Sequence, residues 1–328
     1  MKKIINEPSN VVDEMLDGFV YANGDRVKRI EDTTVIAQKD IQLNKVALVS
    51  GGGSGHEPAH AGFVGQGMLQ AAVSGEVFTS PTPDQVFEGI KAADAGAGVF
   101  LIIKNYTGDV MNFDMAKELA EAEGINVDYV IVDDDIAVED STHTAGKRGV
   151  AGTVFVHKIL GAAADRGYSL HDLKQLADRL VLNVKSVGVA MTAATVPEVG
   201  KPGFTLADDE MEYGVGIHSE PGYKRTAIKS AEEIAAELTA QLKKAFDFQT
   251  GQEYALLING LGATPLMEQY ILANDVNKQL SNEAIAIPYK KVGNWMTSLD
   301  MNGVSLTMLK LEDDWVELLN HPVSVTDW

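Results

Sequence analysis

The sequence predicts an α/β protein of two domains, the first a doubly wound, mostly parallel sheet and the second a mixed sheet with helices. Apolar runs of strand length alternate with helical patterns through the first half of the chain, and the connections between them are short. A length of 328 residues suits about two domains. The sequence texture changes near residues 183–186, so we expect one domain at residues 1–185 and another at residues 186–328.

The first half of the chain accounts for the doubly wound sheet. Apolar residues at helical spacing run from Pro8 to Ala22, and an apolar strand pattern follows at Val46–Val49. The later elements predicted here are a helix opening at Pro81–Asp84, a strand at Gly98–Ile103, a helix at Asn112–Glu123, a strand at Val127–Val132, and helices at Thr153–Arg166 and Ser169–Val184. Continuously apolar strands are typical of a parallel sheet that is covered on both faces.

The second half mixes strand and helix patterns. Ser230 and Glu233 have the spacing of a capping box and open an amphipathic helix to about Phe248, and Ser169 with Asp172 repeats that spacing. The other elements predicted here are strands at Val187–Ala190, Tyr254–Ile258, Ala284–Tyr289 and Val304–Leu311, and helices at Leu266–Leu280 and near Trp315.

Composition excludes several classes of function. A formal net charge of −20 argues against binding to nucleic acid or to an anionic membrane surface. There is no cysteine, which rules out disulfides, thiolate metal sites and cysteine nucleophiles. No apolar run approaches the ~18 residues of a membrane span. We therefore expect a cytoplasmic protein.

A glycine-rich stretch follows the strand at Val46–Val49. Residues 50–56 contain four glycines, two serines and a histidine, so we expect a loop whose backbone N–H groups approach a small polar ligand. Open α/β sheets bind ligands where loops leave the ends of strands. The stretch lacks the Lys-Ser/Thr pair of a Walker A loop and the third glycine of a dinucleotide motif. It predicts a small-molecule site, and a flexible surface turn is the less favoured alternative.

Four polar clusters lie at strand ends or in glycine-containing loops: Gly51–His56, Lys104–Asp109, Asp133–Asp135 and Gly216–Glu220. Acidic clusters such as the third are usually solvated or cap helices, and metal binding is the less favoured alternative. Lys104 and Asp109 could simply pair across a turn.

Two of the seven histidines have distinctive neighbours. His56 and His218 each follow a glycine by one or two residues, and each precedes a Glu-Pro pair. Both imidazoles are therefore expected beside backbone that can contact a ligand. The remaining histidines, for which ordinary surface or core positions are expected, are His60, His143, His157, His171 and His321.

Longer motifs carry a family resemblance. These motifs are Gly51–Pro58, Gly75–Pro81, Lys104–Asp109 and Gly214–His218, with Leu261–Leu266 and Thr297–Met301 in the C-terminal region. Together they resemble the dihydroxyacetone kinase K-subunit family over essentially the whole chain. The sequence departs from the family pattern at Ser219, where many relatives are expected to carry glycine.

The resemblance implies a homodimeric α/β subunit that binds dihydroxyacetone covalently, as a hemiaminal on His218. Neutral imidazole can add to a ketone through one ring nitrogen, and that nitrogen then has no proton to lose, so no imine forms. Alcohols such as glycerol have no carbonyl and are not captured. By resemblance, His56 and Asp109 are the acid/base pair. The residues implied to orient the substrate are Gly53, Ser54, Gly55 and Lys104, together with the acid/base pair, and no metal ligand is implied.

The resemblance also separates two kinds of kinase. One-chain ATP-dependent kinases carry a further nucleotide domain, and this sequence ends at Trp328 without one. We therefore expect the subunit of a phosphoenolpyruvate-dependent system, with no cofactor of its own. In such a system a separate L subunit holds ADP and Mg²⁺, and it receives phosphate from the M subunit of the phosphotransferase system.

Two other functions remain open. A non-catalytic paralogue that senses dihydroxyacetone and coactivates a transcription regulator could also keep His218. Retention of His56 and Asp109 favours the enzyme over that paralogue. A generic sugar-binding module is less favoured still, because it needs no acid/base pair.

Overall fold

Twelve strands and eight α-helices form from residues 2–138 and 144–328, the parts of the chain that the computed structural model describes. The strands are β1 (Val27–Arg29), β2 (Val35–Gln38), β3 (Ala47–Ser54), β4 (Ala71–Val77), β5 (Val99–Lys104), β6 (Val127–Val132), β7 (Val184–Ala190), β8 (Glu210–Tyr213), β9 (Lys224–Ala227), β10 (Glu253–Gly260), β11 (Ala286–Gly293) and β12 (Gly303–Lys310). The helices are α1 (Val11–Asn23), α2 (Pro83–Ala93), α3 (Thr107–Ala122), α4 (Thr153–Asp165), α5 (Leu170–Asn183), α6 (Ala231–Phe246), α7 (Leu266–Asn282) and α8 (Trp315–Leu319).

The first sheet has the strand order β1-β2-β4-β3-β5-β6. Strands β4, β3, β5 and β6 are parallel, whereas β1 and β2 pair antiparallel at one edge. Side chains of β5 alternate between two cores: Leu101 packs with α2 and α3, and Phe100 packs with α4 and α5. Helices therefore cover both faces, as the continuously apolar strand predicts.

The second sheet has the order β11-β10-β12-β7-β8-β9. Only β10 and β11 pair in parallel, and the remaining pairs are antiparallel. One face packs against α6 and α7, while Ala255, Leu257 and Leu309 join the core that contains α4. The predicted fold class, α/β with a doubly wound sheet followed by a mixed sheet, is confirmed.

Helix α4 lies in a core that both sheets share. Every residue from Thr153 to Ala164 is buried, and the Phe155 ring lies 6.5 Å from the Tyr289 ring of β11. The expected division between residues 185 and 186 falls inside β7, and we keep it as a proposal.

Both predicted capping boxes form. The Ser169 hydroxyl accepts from the backbone N–H of Asp172, whose carboxylate accepts from the Ser169 N–H, and Ser230 with Glu233 repeats the arrangement. The predicted α5 and α6 accordingly begin where the sequence places them.

The glycine-rich stretch is less of a loop than predicted. Strand β3 continues through its glycines to Ser54, because they pair in parallel with residues 73–75 of β4. A β-carbon at Gly53 would lie 2.6 Å from the backbone nitrogen of Thr79, so these glycines admit the turn that folds back over the strand ends. Likewise, Asp109 lies in the first turn of α3, whereas the sequence predicts a loop there. Strands β1, β2, β4, β8 and β9 are not among the predicted elements.

No helix in the described part of the chain is both long and apolar enough to cross a bilayer.

The acidic cluster Asp133–Asp135 belongs to the fold. Asp134 is buried, and its carboxylate accepts from the backbone N–H groups of Val150 (2.8 Å) and Gly152 (2.7 Å), which precede α4. Its Oδ2 also accepts from the Ser186 hydroxyl of β7. One carboxylate therefore joins the start of the central helix to the second sheet.

We predict that Asp134→Ala lowers the free energy of unfolding by at least about 2 kcal/mol, because each buried donor left unpaired costs about 1–3 kcal/mol. Urea denaturation measures the change as a lower midpoint. Asp133→Ala is the matched control, since that neighbouring side chain is exposed. Equal midpoints for the two variants would contradict this role of Asp134.

Candidate functional site

A cavity of about 600 Å³ opens between the ends of β3 and β5 and the loop that follows β8. Gly53, Ser80, Tyr106, Asp109 and His218 are among the residues that line it. Residues from both halves of the chain therefore meet at one opening.

The His218 ring is held at one nitrogen by Glu220. Nδ1 lies 3.3 Å from Glu220 Oε1, and the backbone N–H of His218 donates to Glu220 Oε2 at 2.8 Å. Burial acts to raise the pKa of Glu220, but the His218 contact and the Arg148 charge lower it to about 2. Because a carboxylate only accepts, Nδ1 carries the proton and Nε2 keeps a lone pair.

A buried arginine fixes the loop that carries His218. Arg148 donates to the Gly214 carbonyl oxygen (2.8 Å) and, from Nε, to Asp135 Oδ2 (2.7 Å). Burial raises the pKa of Asp135 to about 6, although the Arg148 charge opposes the rise. A β-carbon at Gly216 would collide with the Glu220 carboxylate, so only glycine allows that carboxylate to lie against the loop backbone.

Ser219, at the position where the resemblance leads us to expect glycine in many relatives, takes up a glycine-like conformation. Its φ is 62°, in the left-handed region that favours glycine. The Ser219 hydroxyl oxygen accepts from the Ala194 N–H at 3.2 Å. The serine therefore fits this conformation, and its hydroxyl connects the loop to the segment that contains Ala194.

The His56 ring is fully buried beside His218. Its Nδ1 lies 2.8 Å from the Thr297 carbonyl oxygen and must donate to it, so Nε2 is the unprotonated nitrogen of the neutral ring. Within the described residues Nε2 has no hydrogen-bond partner. The two imidazole centroids are 4.8 Å apart, and the Phe78 ring stacks on His56 at 5.2 Å. Burial, with the His218 and Lys104 charges, holds the pKa of His56 well below its ordinary value.

Asp109 and Lys104 face one another without direct contact. Asp109 Oδ1 accepts from the Ser80 hydroxyl, and Oδ2 lies 3.9 Å from Lys104 Nζ. Lys104 is fully buried, and burial lowers its pKa although Asp109 opposes the change. Oδ2 is therefore the Asp109 oxygen left for a substrate.

Of the three predicted backbone positions, the structure places only Gly53 on this cavity. The Ser54 hydroxyl donates to the Gly75 carbonyl oxygen at 2.7 Å. The Gly55 N–H donates to the Glu57 carboxylate at 3.1 Å, and both Ser54 and Gly55 border a different cavity next to the N-terminal segment.

Among the other histidines, both core and surface positions occur, as expected. His60 and His157 are buried and hydrogen-bonded to each other, whereas His171 is exposed and His321 pairs with Asp165. His143 lies outside the described residues. Within residues 2–138 and 144–328, no group of three or more His, Asp or Glu side chains is arranged to hold a metal ion.

Sequence reasoning missed the partners of the predicted residues. They are Ser80 on Asp109, Thr297 on His56, and Glu220 and Tyr106 on His218, the Tyr106 ring lying 4.4 Å from the imidazole. Glu220 had a signal, because it stands two residues after the histidine that it holds.

Three comparisons place the chain among known proteins. The Dak1 domain family matches residues 17–327. The PTS-dependent dihydroxyacetone kinase subunit DhaK of Lactococcus lactis is 63% identical over all of this chain and 99% of its own length. The DhaKLM operon coactivator DhaQ of the same organism is 40% identical over 99% of this chain and 100% of its own length.

The fold has the same relatives. A solved structure of a dihydroxyacetone kinase operon co-activator, DhaQ, superposes with a TM-score of 0.91 at 40% identity, covering 98% of each chain. The resemblance to dihydroxyacetone kinase K subunits that the motifs predict is confirmed. The chain belongs to the Dak1 domain family.

Proposed function

We propose that this chain is the dihydroxyacetone-binding subunit of a phosphoenolpyruvate-dependent dihydroxyacetone kinase, which holds its substrate as a hemiaminal on His218. The observation that carries the proposal is the fixed orientation of the His218 ring. Glu220 occupies Nδ1, and the lone pair of Nε2 remains for a carbonyl carbon in the cavity.

Adduct formation needs one bond and one proton. The Nε2 lone pair bonds to the carbonyl carbon, the π electrons move to oxygen, and that oxygen takes a proton. Positive charge develops on the ring beside Glu220, whose low pKa keeps it a carboxylate. The ring then releases its Nδ1 proton to solvent, which balances the proton taken up by the oxygen and leaves a neutral hemiaminal. The Glu220 carboxylate thus stabilises the His218 ring as the ring becomes a cation.

His56 contacts the oxygen of the adduct in this proposal. Its neutral ring presents an unpaired Nε2 acceptor, which suits the hydroxyl of a hemiaminal. As the acid in this proposal, the resting neutral ring relays a proton from solvent through Nε2 to the former carbonyl oxygen, and its lowered pKa favours the release of that proton. A buried acceptor without a partner costs about 1–3 kcal/mol, and the adduct removes that cost.

Asp109 accepts the proton of the terminal hydroxyl during transfer. That hydroxyl oxygen bonds to phosphorus of the phosphoryl group supplied by the partner, and the bond from phosphorus to the donor breaks. Oδ2 is free for this role because Ser80 occupies Oδ1, and Lys104 supplies positive charge 3.9 Å away. Anchoring the substrate at His218 contributes chiefly by positioning, which is most of what phosphoryl transfer requires.

The nucleotide in this proposal belongs to the partner. The glycines of β3 lead to His56 where a phosphate loop would have its lysine, and a net charge of −20 opposes a polyanion. We propose a cytoplasmic homodimer that works with an L subunit carrying ADP and Mg²⁺, itself supplied with phosphate through the M subunit. Identity of 63% to a kinase subunit against 40% to a coactivator of the same organism supports the enzyme over the sensor.

We predict a covalent adduct at His218. Dihydroxyacetone labelled with ¹³C at its carbonyl should show that carbon change from sp² to sp³ on binding, as measured by NMR. Borohydride should not trap the adduct, since no imine exists. His218→Ala should abolish the sp³ signal, and its persistence in that variant would place the adduct elsewhere.

We predict that Asp109→Asn slows phosphoryl transfer by roughly two to four decades, the scale of general-base catalysis, while the sp³ adduct signal remains. Single-turnover kinetics with a phosphorylated partner separate the two steps. His56→Asn serves as the contrasting variant and should weaken the adduct itself. Wild-type turnover in both variants would leave these residues as structural groups.

We predict no turnover of dihydroxyacetone by the purified chain with ATP and Mg²⁺ alone. Adding an ADP-loaded L subunit and the phosphoenolpyruvate phosphorelay should start production of dihydroxyacetone phosphate. A coupled assay measures this product as oxidation of NADH. Turnover with ATP alone would refute the split-subunit assignment. If no dihydroxyacetone phosphate forms with an L subunit that is proven active on another K subunit, the result would favour the ligand-sensing coactivator.

A further inference from the structure

Two buried histidines that the proposed mechanism does not use lie directly behind Lys104. Lys104 Nζ is 2.8 Å from His60 Nε2, and His60 Nδ1 is 2.9 Å from His157 Nε2. His157 and Lys104 are fully buried, and His60 is 6% exposed. The three side chains form one hydrogen-bonded series that begins at Lys104, 3.9 Å from the Asp109 carboxylate of the cavity wall, and continues through His60 to His157.

The Lys104 ammonium group determines which ring nitrogen carries the proton in His60 and in His157. An ammonium can only donate, so His60 Nε2 must accept and His60 must carry its proton on Nδ1. That proton points at His157 Nε2, which must accept in turn, and His157 therefore carries its own proton on Nδ1. Burial lowers the pKa of His60 well below its ordinary value and that of His157 to about 3, which keeps both rings neutral.

The hydrogen bonds of Lys104 hold its ammonium group away from the Asp109 carboxylate. Lys104 Nζ also donates to the Gly51 carbonyl oxygen at 2.9 Å, so two of its three protons are used in hydrogen bonds to Gly51 and His60. Asp109 Oδ2, at 3.9 Å, is beyond hydrogen-bond range. Gly52 lies between the two groups, and its missing side chain leaves the space in which they face each other.

We propose that His60, supported by His157, is a positioning residue that holds the Lys104 ammonium away from Asp109, so that Asp109 Oδ2 stays available to the substrate hydroxyl. Without the acceptor at His60, a buried ammonium would move onto the nearest carboxylate and form a contact ion pair. The base would then be occupied by the lysine. The proposal deepens the function proposed above and rests on it for the role of Asp109.

Two substitutions at one position separate the contacts of His60. In His60→Gln the amide reaches to the level of Nε2 and keeps an acceptor for Lys104. In His60→Asn the shorter amide reaches only to the level of Nδ1, so it keeps the contact to His157 and loses that to Lys104. We expect His60→Asn to lower kcat of the reconstituted system roughly tenfold or more, a part of the general-base effect, with the His218 adduct still formed. His60→Gln should restore most of that loss.

A measurement without turnover tests the same geometry. In protein labelled with ¹⁵N histidine, both His60 and His157 should be protonated on Nδ1 and unprotonated on Nε2, and Lys104→Met should shift the His60 Nε2 resonance. Substitution of each histidine in turn assigns the signals among the seven histidines.

The outcomes separate this proposal from the proposed function. A His60 ring protonated on Nε2 in the wild-type protein would overturn the positioning role, as would equal kcat values for His60→Gln and His60→Asn when both melt like wild type. If neither variant folds, the tautomers of the wild-type protein and the effect of Lys104→Met decide the matter. A wild-type chain that is inactive with a competent partner but has the expected tautomers would contradict the proposed function and leave the geometry of Lys104 standing.

Discussion

The hydrogen bond from the His56 ring to the Thr297 carbonyl oxygen joins the two halves of the chain at the site. Backbone bonds flank it, from Leu299 N–H to the Gly55 oxygen at 2.8 Å and from Thr297 N–H to the His56 oxygen at 3.2 Å. These contacts place the end of β3 against the loop that precedes β12. The ring hydrogen bond also fixes the tautomer of His56, whose ring centroid lies 4.8 Å from that of His218.

The site contains two pairs of oppositely charged or chargeable groups, one in contact and one held apart. Glu220 lies against His218 and keeps its charge, so a cation that forms on the imidazole is matched at once. Lys104 and Asp109, in contrast, stay 3.9 Å apart, and each is held by a neutral partner, His60 or Ser80. Because neutral groups hold them, both charges stay available to a substrate, whereas in a contact ion pair each would be occupied by the other.

Strand and helix patterns predicted the fold class and the two capping boxes. The family resemblance implied the site residues, of which Asp109 and His218 line one cavity and His56 lies beside His218. The pattern failed where pairing decides structure. The glycines of β3 have low strand propensity, and only their partners in β4 make them a strand. The environment of His60 was equally hidden, because its partners Lys104 and His157 are 44 and 97 residues away in the chain.

The core around α4 limits how this molecule can move. Opening the two sheets about a hinge would expose a helix that is buried on every side, at a cost of about 25 cal/mol for each Å² of apolar surface. Any adjustment on substrate entry is therefore expected in the loops at the cavity, such as residues 216–222 and 78–81. Such loops move in roughly nanoseconds to microseconds, faster than domains close. We therefore expect access to the site to be a local event, with the scaffold that sets its geometry unchanged.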